Sequence, residues 1–324
     1  MDRPLKHISP KEVANEIKNL NKGKSPGHDL IDAKVAKNLT WKSILYLTNV
    51  YNSILRLDYF PVKWKMAEFI MILKTGKPEN NISSYRPISL LPIFSKIFEK
   101  IFVNRLLPVL ERKNIIPNHQ FGFRLKHGTP EQCHRIVNTI INSFERKQFC
   151  SAVFLDVQQA FDRVWHLGLL HKIKKLLPAP FYLFFKSYLS ERIAYVKVKD
   201  ERSPLIEIKA GIPQGSVLGP ILYTLYTADM PINLSVTLAT YADDTAIIAA
   251  NDYPQLASVA IQNELNVLDK LFKRWNIKIN SEKSSHITFS LRRGECSSVN
   301  INNEVIPRKD TVKYLGMLLD RRLT

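Results

Sequence analysis

The chain has 324 residues, of which 45% are apolar, 23% charged and 10% aromatic. This composition excludes a low-complexity or largely disordered chain, and the length suggests one large domain with subdomains or about two domains. Lys and Arg number 47 against 29 Asp and Glu, a net charge of +18 concentrated in residues 1–150, which indicates a polyanionic partner and leaves a merely basic, soluble surface as the alternative.

Several classes of protein are excluded by what the sequence lacks. No apolar run approaches the roughly 18 residues of a membrane span, and the first residues lack the apolar core of a secretory signal, so we expect an intracellular protein. The cysteines form no Cys-x-x-Cys pair, which argues against a disulfide framework and a structural zinc site. Gly23-Lys24-Ser25 is not preceded by the glycine that a P-loop requires at position 18, which argues against an NTPase.

The first half of the chain is predicted to be mainly helical. Residues 1–60 have apolar residues at helical spacing, interrupted by a turn-like segment at 22–29. An alternating, strand-like segment follows at 64–74, then a polar loop around 78–87. A helix is predicted after Pro92.

The second half alternates strands and helices. In chain order the prediction is a strand at 150–157, helices at 158–177 and 180–192, strands at 194–199 and 205–211, a Gly/Pro loop at 211–220 opening a helix at 221–229, an apolar hairpin at 237–250, a helix from about 255 to 275 and short final strands. This order fits a split βαβ sheet of ferredoxin-like type with helices on one face and the other face open. We expect two subdomains sharing an interface, and a chain that stops before a further element.

Three carboxylates suggest a metal site. Asp156 ends the apolar run AVFLD, and Asp243 and Asp244 lie at the tip of the apolar hairpin. Three such groups aimed at one face would repel one another unless cations lay between them. Hard oxygen ligands favour Mg²⁺ or Mn²⁺, and two ions about 3.5 to 4 Å apart can stabilise both oxygens of a phosphoryl transfer. The alternative, that Asp-Asp only forms the hairpin turn, stays open on this pattern alone.

A family resemblance rests on eight segments in fixed order along residues 20–320. They are NKGKSPGHD, SSYRPISLLPIFSKIFEK, NHQFGFRLKHGTPEQ, FLDVQQAFDRVWH, AGIPQGSVLGPILYTLYTADMP, TYADDTAII, INSEKS and VKYLGMLLD. In these segments the chain resembles the reverse transcriptases of non-LTR retrotransposons, most closely the jockey-type mobile elements of arthropods. The resemblance implies an RNA-directed DNA polymerase that works on chromosomal DNA in the nucleus, with an RNA template, a DNA primer and dNTP as partners.

The resemblance also implies the architecture. The fold class is α+β, a right-hand polymerase fold with fingers and a ferredoxin-like palm, and with the thumb lying beyond Thr324. Residues 1–60 are expected to form an N-terminal helical extension, 61–150 the fingers, and 151–324 the palm, with short fingers insertions and a primer-grip hairpin at its C-terminal end.

Metal and catalytic positions follow from the same matches. Asp156, Val157, Asp243 and Asp244 match the metal site for two Mg²⁺ ions, for which Mn²⁺ is an alternative. Asp243 matches a direct ligand and Asp244 a supporting carboxylate. Lys283 matches a lysine that protonates the pyrophosphate leaving group.

Four residues match nucleotide-binding positions. Phe161 matches a steric gate against the ribose 2′-OH, with a core phenylalanine as the alternative. Gln214, in GIPQG, matches a contact to nucleotide and template, with a simple helix-entry loop as the alternative. Lys74 and Arg86 flank the polar loop and match residues that close on a triphosphate, although Lys74 also fits a solvated surface lysine.

Nucleic-acid contacts are implied at two further places. Tyr314, Leu315 and Gly316 match the primer grip, with an ordinary strand pair as the alternative. Arg124, in QFGFR, is a candidate for template backbone contact. Two rival functions remain open: a maturase-like or RNA-copying polymerase on the same palm, and an inactive or truncated element copy that only binds nucleic acid.

Overall fold

The computed structural model describes residues 5–124, 126–231 and 233–324. Within this part of the chain, no helix has the length and apolar character needed to cross a membrane. The chain forms two compact units: Met1–Ile115 with Val164–Tyr226, and Ile116–Arg163 with Thr227–Thr324.

Helices and strands are interspersed along the chain and most strand pairs are antiparallel, as in an α+β protein. The helices are α1 (Pro10–Lys18), α2 (Ala33–Lys37), α3 (Trp41–Leu57), α4 (Val62–Lys65), α5 (Ile93–Arg112), α6 (Thr129–Glu145), α7 (His166–Leu176), α8 (Ala179–Leu189), α9 (Gly219–Tyr226) and α10 (Pro254–Arg274). The strands are β1 (Ala67–Leu73), β2 (Tyr85–Leu90), β3 (Phe149–Val157), β4 (Arg192–Val198), β5 (Glu201–Arg202), β6 (Ile206–Ile208), β7 (Thr237–Tyr241), β8 (Asp244–Asn251), β9 (Ile279–Phe289), β10 (Asn300–Ile301), β11 (Glu304–Val305), β12 (Thr311–Tyr314) and β13 (Met317–Asp320).

The helices of the first unit confirm the predicted helical start of the chain. Ser9 and Glu12 form a capping box that begins α1. Glu12 also forms an ion pair of 3.1 Å with Arg105 of α5, which fixes α1 to the longer helix. The apolar core beneath is aromatic: the rings of Phe102 and Phe184 stack with centroids 4.0 Å apart.

A β-sheet completes the first unit, with β1 paired antiparallel to β2 and parallel to β4. The polar loop predicted around 78–87 ends earlier than expected, because β2 begins at Tyr85 and includes Pro87. A proline cannot donate a ladder hydrogen bond, but β2 is an edge strand, where proline is tolerated. Arg86 therefore lies on a strand rather than in a loop.

The sheet of the second unit has the strand order β7-β8-β3-β9, with all neighbours antiparallel. Side chains alternate across it: Phe154 and Ile248 pack with Ile136 of α6, whereas Val153 packs with Leu265 of α10. Helices thus cover both faces. The expectation of helices on one face and an open second face is wrong, because residues 129–145, for which no element is predicted, form α6.

The helix predicted at 158–177 is also shorter than expected. Residues 158–163 form turns, and α7 begins at His166. Gln159 has φ +49°, in the left-handed region that an α-helix of L-residues does not continue through. The amides of Asp162 and Arg163 both donate to its carbonyl oxygen, which closes the turn. The final strands differ too, since β9 is 11 residues long and forms an edge of the sheet.

Candidate active site

Two of the predicted carboxylates lie on neighbouring strands of the second unit. Leu155 of β3 pairs with Thr245 of β8, so Asp156 and Asp244 are the next residues along the two strands. Both continue the alternation that puts Phe154 and Ala246 on the α6 face of the sheet. Residues opposite each other on antiparallel strands have Cβ atoms about 4.5 to 5.5 Å apart. Strand pairing therefore brings together acids that are 88 positions apart in the sequence.

The third carboxylate belongs to the tight turn before β8. Tyr241 pairs with Asp244, so Ala242 and Asp243 form a two-residue connection between β7 and β8. Ala242 has φ +58°, a conformation that is unfavourable for a residue with a Cβ and is held only when the surroundings enforce it. The turn thus fixes Asp243 beside Asp244 at the sheet end that also carries Asp156.

The three charges influence one another. Partial burial, followed by the charges of Asp243 and Asp156, raises the pKa of Asp244 to about 6. Because the residue as a whole stays exposed, the repulsion between like charges is the contribution that the strand register supports best. A divalent cation would relieve this repulsion.

The donor chemistry fits Mg²⁺ or Mn²⁺. The candidate ligands are carboxylate oxygens, which hard cations prefer. In the described parts of the chain, no three His, Cys, Asp or Glu side chains are already grouped as a metal site. Mg²⁺ is often held by one or two carboxylates and completes its shell with water and substrate phosphates. Val157, also predicted at this site, is the last residue of β3 and pairs with Ile279 of β9.

Gln120, a residue without a predicted role, holds the turn that carries Asp243. Its Oε1 accepts hydrogen bonds from the amides of Ala242 (3.0 Å) and Gly122 (2.7 Å), and its Nε2 donates to the Ala242 carbonyl (3.4 Å). The Phe121 amide donates to the carbonyl of Thr240 in β7 at 2.9 Å. A Cβ on Gly122 would lie 2.4 Å from the Ala242 nitrogen, so only glycine allows this approach. The residue types of the QFGFR segment do not indicate this role for Gln120, because its partners are backbone atoms of a distant turn.

Replacing Gln120 by Ala is expected to lower kcat for primer extension about tenfold, because a loosened turn displaces Asp243 from the other carboxylates. Gln262 provides a matched control. Its amide clamps the backbone of Asn300 in the same unit through bonds of 2.8 and 3.0 Å. Steady-state extension by both variants checks the expectation: an equal loss in Gln262→Ala would mean that any lost backbone clamp has this effect.

Lys283 lies on a bulge of β9 next to Asp156. Phe154 pairs with Ser285 and Asp156 with Asn280, so β9 has extra residues at this point. The Ser284 hydroxyl accepts from the Asp156 amide at 3.1 Å and donates to the Asn280 carbonyl at 2.7 Å. The bulge therefore holds an exposed lysine one residue from a direct contact of Asp156.

Phe161 lies in the turns after β3, half-buried, five residues beyond Asp156. Its ring meets that of Phe123 edge to face, with centroids 6.3 Å apart and planes at 88°. This contact supports the ring from one side without enclosing it. The predicted steric-gate position is therefore on the same chain segment as Asp156 and in the same unit.

The remaining nucleotide-binding candidates lie in the first unit. Lys74 follows β1, and its Nζ donates to the Ser83 carbonyl at 2.8 Å. Arg86 is exposed on β2, where it pairs with Ile72. The Gln214 carbonyl accepts from the amide of Ser89 at 2.7 Å. Since Ser89 and Arg86 are on the same strand, β2 links Arg86 and Gln214, whereas Ser83 lies in the turn just before that strand.

Two of the residues predicted to contact nucleic acid, Arg124 and Tyr314, make contacts within the second unit itself. One Arg124 nitrogen donates to the carbonyls of Pro117 and Gln120, both at 3.2 Å, so part of its guanidinium stabilises its own loop. The Tyr314 ring is buried against Phe154, with centroids 5.2 Å apart.

Leu315 and Gly316 form the tip of the β12–β13 hairpin. Their φ values are +47° and +91°, the pattern of a tight two-residue hairpin turn. Leu315 is half-buried and Gly316 exposed. The backbone of this tip, rather than the Tyr314 ring, is thus the accessible part of the predicted primer grip.

Known proteins resemble this chain in sequence. A family model described as reverse transcriptase (RNA-dependent DNA polymerase) matches residues 72–319. The chain is 45% identical over 332 residues to the RNA-directed DNA polymerase from mobile element jockey of Drosophila melanogaster, and 45% identical over 329 residues to the probable RNA-directed DNA polymerase from transposon X-element of the same species. Both alignments cover 100% of this chain but 36% of the relative, so the chain spans about a third of the length of these relatives.

Solved structures resemble it in fold. An apo telomerase from Candida tropicalis, truncated from its C-terminal domain, matches with a TM-score of 0.52 at 16% identity, over 87% of this chain and 59% of that one. A telomerase from the same organism in complex with a TWJ fragment of telomeric RNA gives 0.54 at 14% identity, over 87% and 48%. The predicted α+β reverse transcriptase fold class is confirmed, as is the resemblance to jockey-type polymerases. With its family model matched across most of its length, the chain belongs to the reverse transcriptase (RNA-dependent DNA polymerase) family.

Proposed function

We propose that this chain is the polymerase segment of a non-LTR retrotransposon enzyme, an RNA-directed DNA polymerase that extends a DNA primer on an RNA template with dNTP. The observation that carries the proposal is the meeting of Asp156, Asp243 and Asp244 at one end of the β7-β8-β3-β9 sheet. Such an enzyme would work on chromosomal DNA, in the nucleus.

Asp156 and Asp243 would hold two Mg²⁺ or Mn²⁺ ions, with Val157 and Asp244 beside them. When bound, such ions supply charge stabilisation for the attacking and leaving oxygens of an in-line phosphoryl transfer. Asp244 then acts as a supporting carboxylate. The turn at Ala242, which Gln120 holds by hydrogen bonds, would keep the carboxylates in place.

The reaction joins the primer 3′-oxygen to the α-phosphorus of the nucleotide, and the bond from that phosphorus to the pyrophosphate oxygen breaks. Lys283 would donate a proton to the leaving pyrophosphate, in the role of a general acid. Its exposed position on the β9 bulge, close to Asp156, supports this assignment. The proton lost by the primer hydroxyl passes to solvent.

Residues predicted from the sequence would bind and orient the substrates. Lys74 and Arg86 hold the triphosphate, with Arg86 able to bind two phosphate oxygens at once. Gln214 contacts the nucleotide and template, and Phe161 excludes a ribose 2′-OH. Arg124 and the hairpin tip at Leu315 and Gly316 would contact the template and primer backbones, with the buried Tyr314 ring supporting that tip.

The experiment that tests this function is extension of a labelled DNA primer on an RNA template by the 324-residue chain, with and without Mg²⁺. We expect addition of deoxynucleotides that requires Mg²⁺. Binding of the same duplex, measured as a function of salt, provides the comparison. Salt-sensitive binding without any extension would instead support the rival of an inactive copy that only binds nucleic acid.

A further inference from the structure

A buried carboxylate in the first unit accepts four hydrogen bonds, and the proposed chemistry gives it no role. Glu99 of α5 has 0% exposure. One of its oxygens accepts from the amides of Val217 (2.7 Å) and Leu218 (3.2 Å). The other accepts from the hydroxyls of Ser95 (3.2 Å) and Tyr188 (3.3 Å). An acid is retained in an apolar core only when such partners offset its loss of water.

The two amides belong to the end of the loop that carries Gln214. Val217 and Leu218 directly precede α9, whose first residue is Gly219. A carboxylate beside the amides at a helix start also interacts favourably with the helix dipole. Arg192, whose guanidinium lies 4.9 Å from the centroid of the Tyr188 ring, adds a positive charge to the same network.

The middle of this loop is held by β2. The Ser89 amide donates to the Gln214 carbonyl at 2.7 Å. Gly215 has φ +116°, and a Cβ there would lie 2.7 Å from the Ser89 carbonyl oxygen. Gln214 is therefore held directly by the backbone of β2, and the residues that follow it are held by the carboxylate of Glu99.

The start of the loop is held separately, since the Gly211 amide donates to the Val164 carbonyl at 2.8 Å and the Gly211 carbonyl lies 2.6 Å from His166 Nε2. Loss of Glu99 would therefore release the part of the loop next to α9.

We propose that Glu99 is a positioning residue for the incoming nucleotide, acting through Val217 and Leu218 on the Gln214 loop. This inference rests on the proposed function, because Gln214 matters to the nucleotide only in a polymerase. It predicts that loss of Glu99 weakens nucleotide use more than primer–template binding, because Gln214 is one of several proposed contacts to the template and primer, the others being Arg124 and residues 314–316.

The test compares Glu99→Ala and Glu99→Gln with wild type in steady-state primer extension. Glu99→Ala is expected to raise KM for dNTP about tenfold while KM for primer–template stays within about twofold, because a loosened loop misplaces a substrate contact. Glu99→Gln should restore dNTP use, since its amide oxygen can accept from both backbone amides and its NH₂ can donate to the two hydroxyls. Equal effects on both KM values, or no effect, would overturn the proposal.

Glu68 provides the matched control for loss of a buried acid. It is 5% exposed, lies in the same unit and accepts from the Tyr195 hydroxyl at 2.5 Å. Glu68→Ala should leave KM for dNTP unchanged. If it raises that KM as much as Glu99→Ala does, general loosening of the unit is the cause and the proposal fails.

Hydrogen–deuterium exchange gives a readout that does not need polymerase activity. Amides of residues 211–219 should exchange faster in Glu99→Ala than in wild type or Glu68→Ala. If Glu99→Ala does not fold, Glu99→Asp replaces it. Its side chain is one methylene shorter, so the carboxylate is withdrawn from the amides while its charge is kept. Unchanged exchange in the loop would overturn the proposal, whereas an inactive wild type with faster loop exchange in the variant would instead overturn the proposed function.

Discussion

Replacing Asp243 by Asn is expected to reduce primer extension by about three orders of magnitude or more, because several kcal/mol of charge stabilisation depend on this ligand and each 1.36 kcal/mol is tenfold in rate. The substitution keeps the size of the side chain but removes its charge and replaces one acceptor oxygen by an NH₂ donor. The turn held by Gln120 uses backbone atoms of Ala242, which the change does not touch. Salt-dependent RNA binding should stay close to wild type, since it depends on basic side chains elsewhere.

Asp252 allows a matched control for this substitution. It follows the last residue of β8 and is exposed, whereas Asp243 directly precedes the first. Asp252→Asn makes the same chemical change at the other end of one strand and should leave extension unaffected. Normal extension by Asp243→Asn would show that the metal assignment is wrong. Loss in both variants would point to a general effect of negative charge on the second unit.

The carboxylate cluster could be predicted from sequence because its information is local. Asp156 ends an apolar strand, and Asp243 and Asp244 mark the bend of an apolar hairpin. Once these strands pair antiparallel, the acids must meet at one end of the sheet. Strand identity and alternation, both visible in the sequence, are sufficient for that step.

Contacts between distant segments could not be predicted in the same way. Gln120 and Ala242 are 122 positions apart, and Glu99 and Val217 are 118 apart. Nothing in the residues near Gln120 indicates that its amide will hold a turn that far along the chain. Both side chains bind backbone atoms of their partners. Every residue type except proline has the same backbone amide, so the sequence does not indicate such contacts.

The coverage of the sheet and the start of α7 show two further limits. Cys133, Ile136 and Ile140 recur at helical spacing, so this pattern is sufficient to predict α6. The sheet face that α6 covers depends on tertiary packing. The left-handed φ of Gln159 is imposed on a residue that is no turn former, so the sequence predicts a continuous helix where turns exist. The borders of fingers and palm stay a prediction.

Those turns determine where the Phe161 ring lies and therefore whether it can act as a steric gate. On a helix continuous from residue 158, Phe161 would be a candidate for the core. In the turns it is half-buried, supported at the edge by Phe123, and close in sequence to Asp156. A ring in this position can block a ribose 2′-OH by its volume alone, since a clash needs no hydrogen bond.

Phe161→Ala is therefore expected to lower discrimination against ribonucleotides about 100-fold, a size typical of a single steric contact in a binding pocket. The ratio of kcat/KM for dNTP to that for the matching rNTP measures it, and use of dNTP itself should fall much less. Phe161→Tyr, which keeps the ring, should keep the discrimination. Phe123→Ala is the control for packing: if it relaxes sugar choice as much as Phe161→Ala, support of the turn and not the blocking ring sets specificity. If neither change alters sugar choice, the gate assignment is wrong and an RNA-copying polymerase on the same fold becomes the better description.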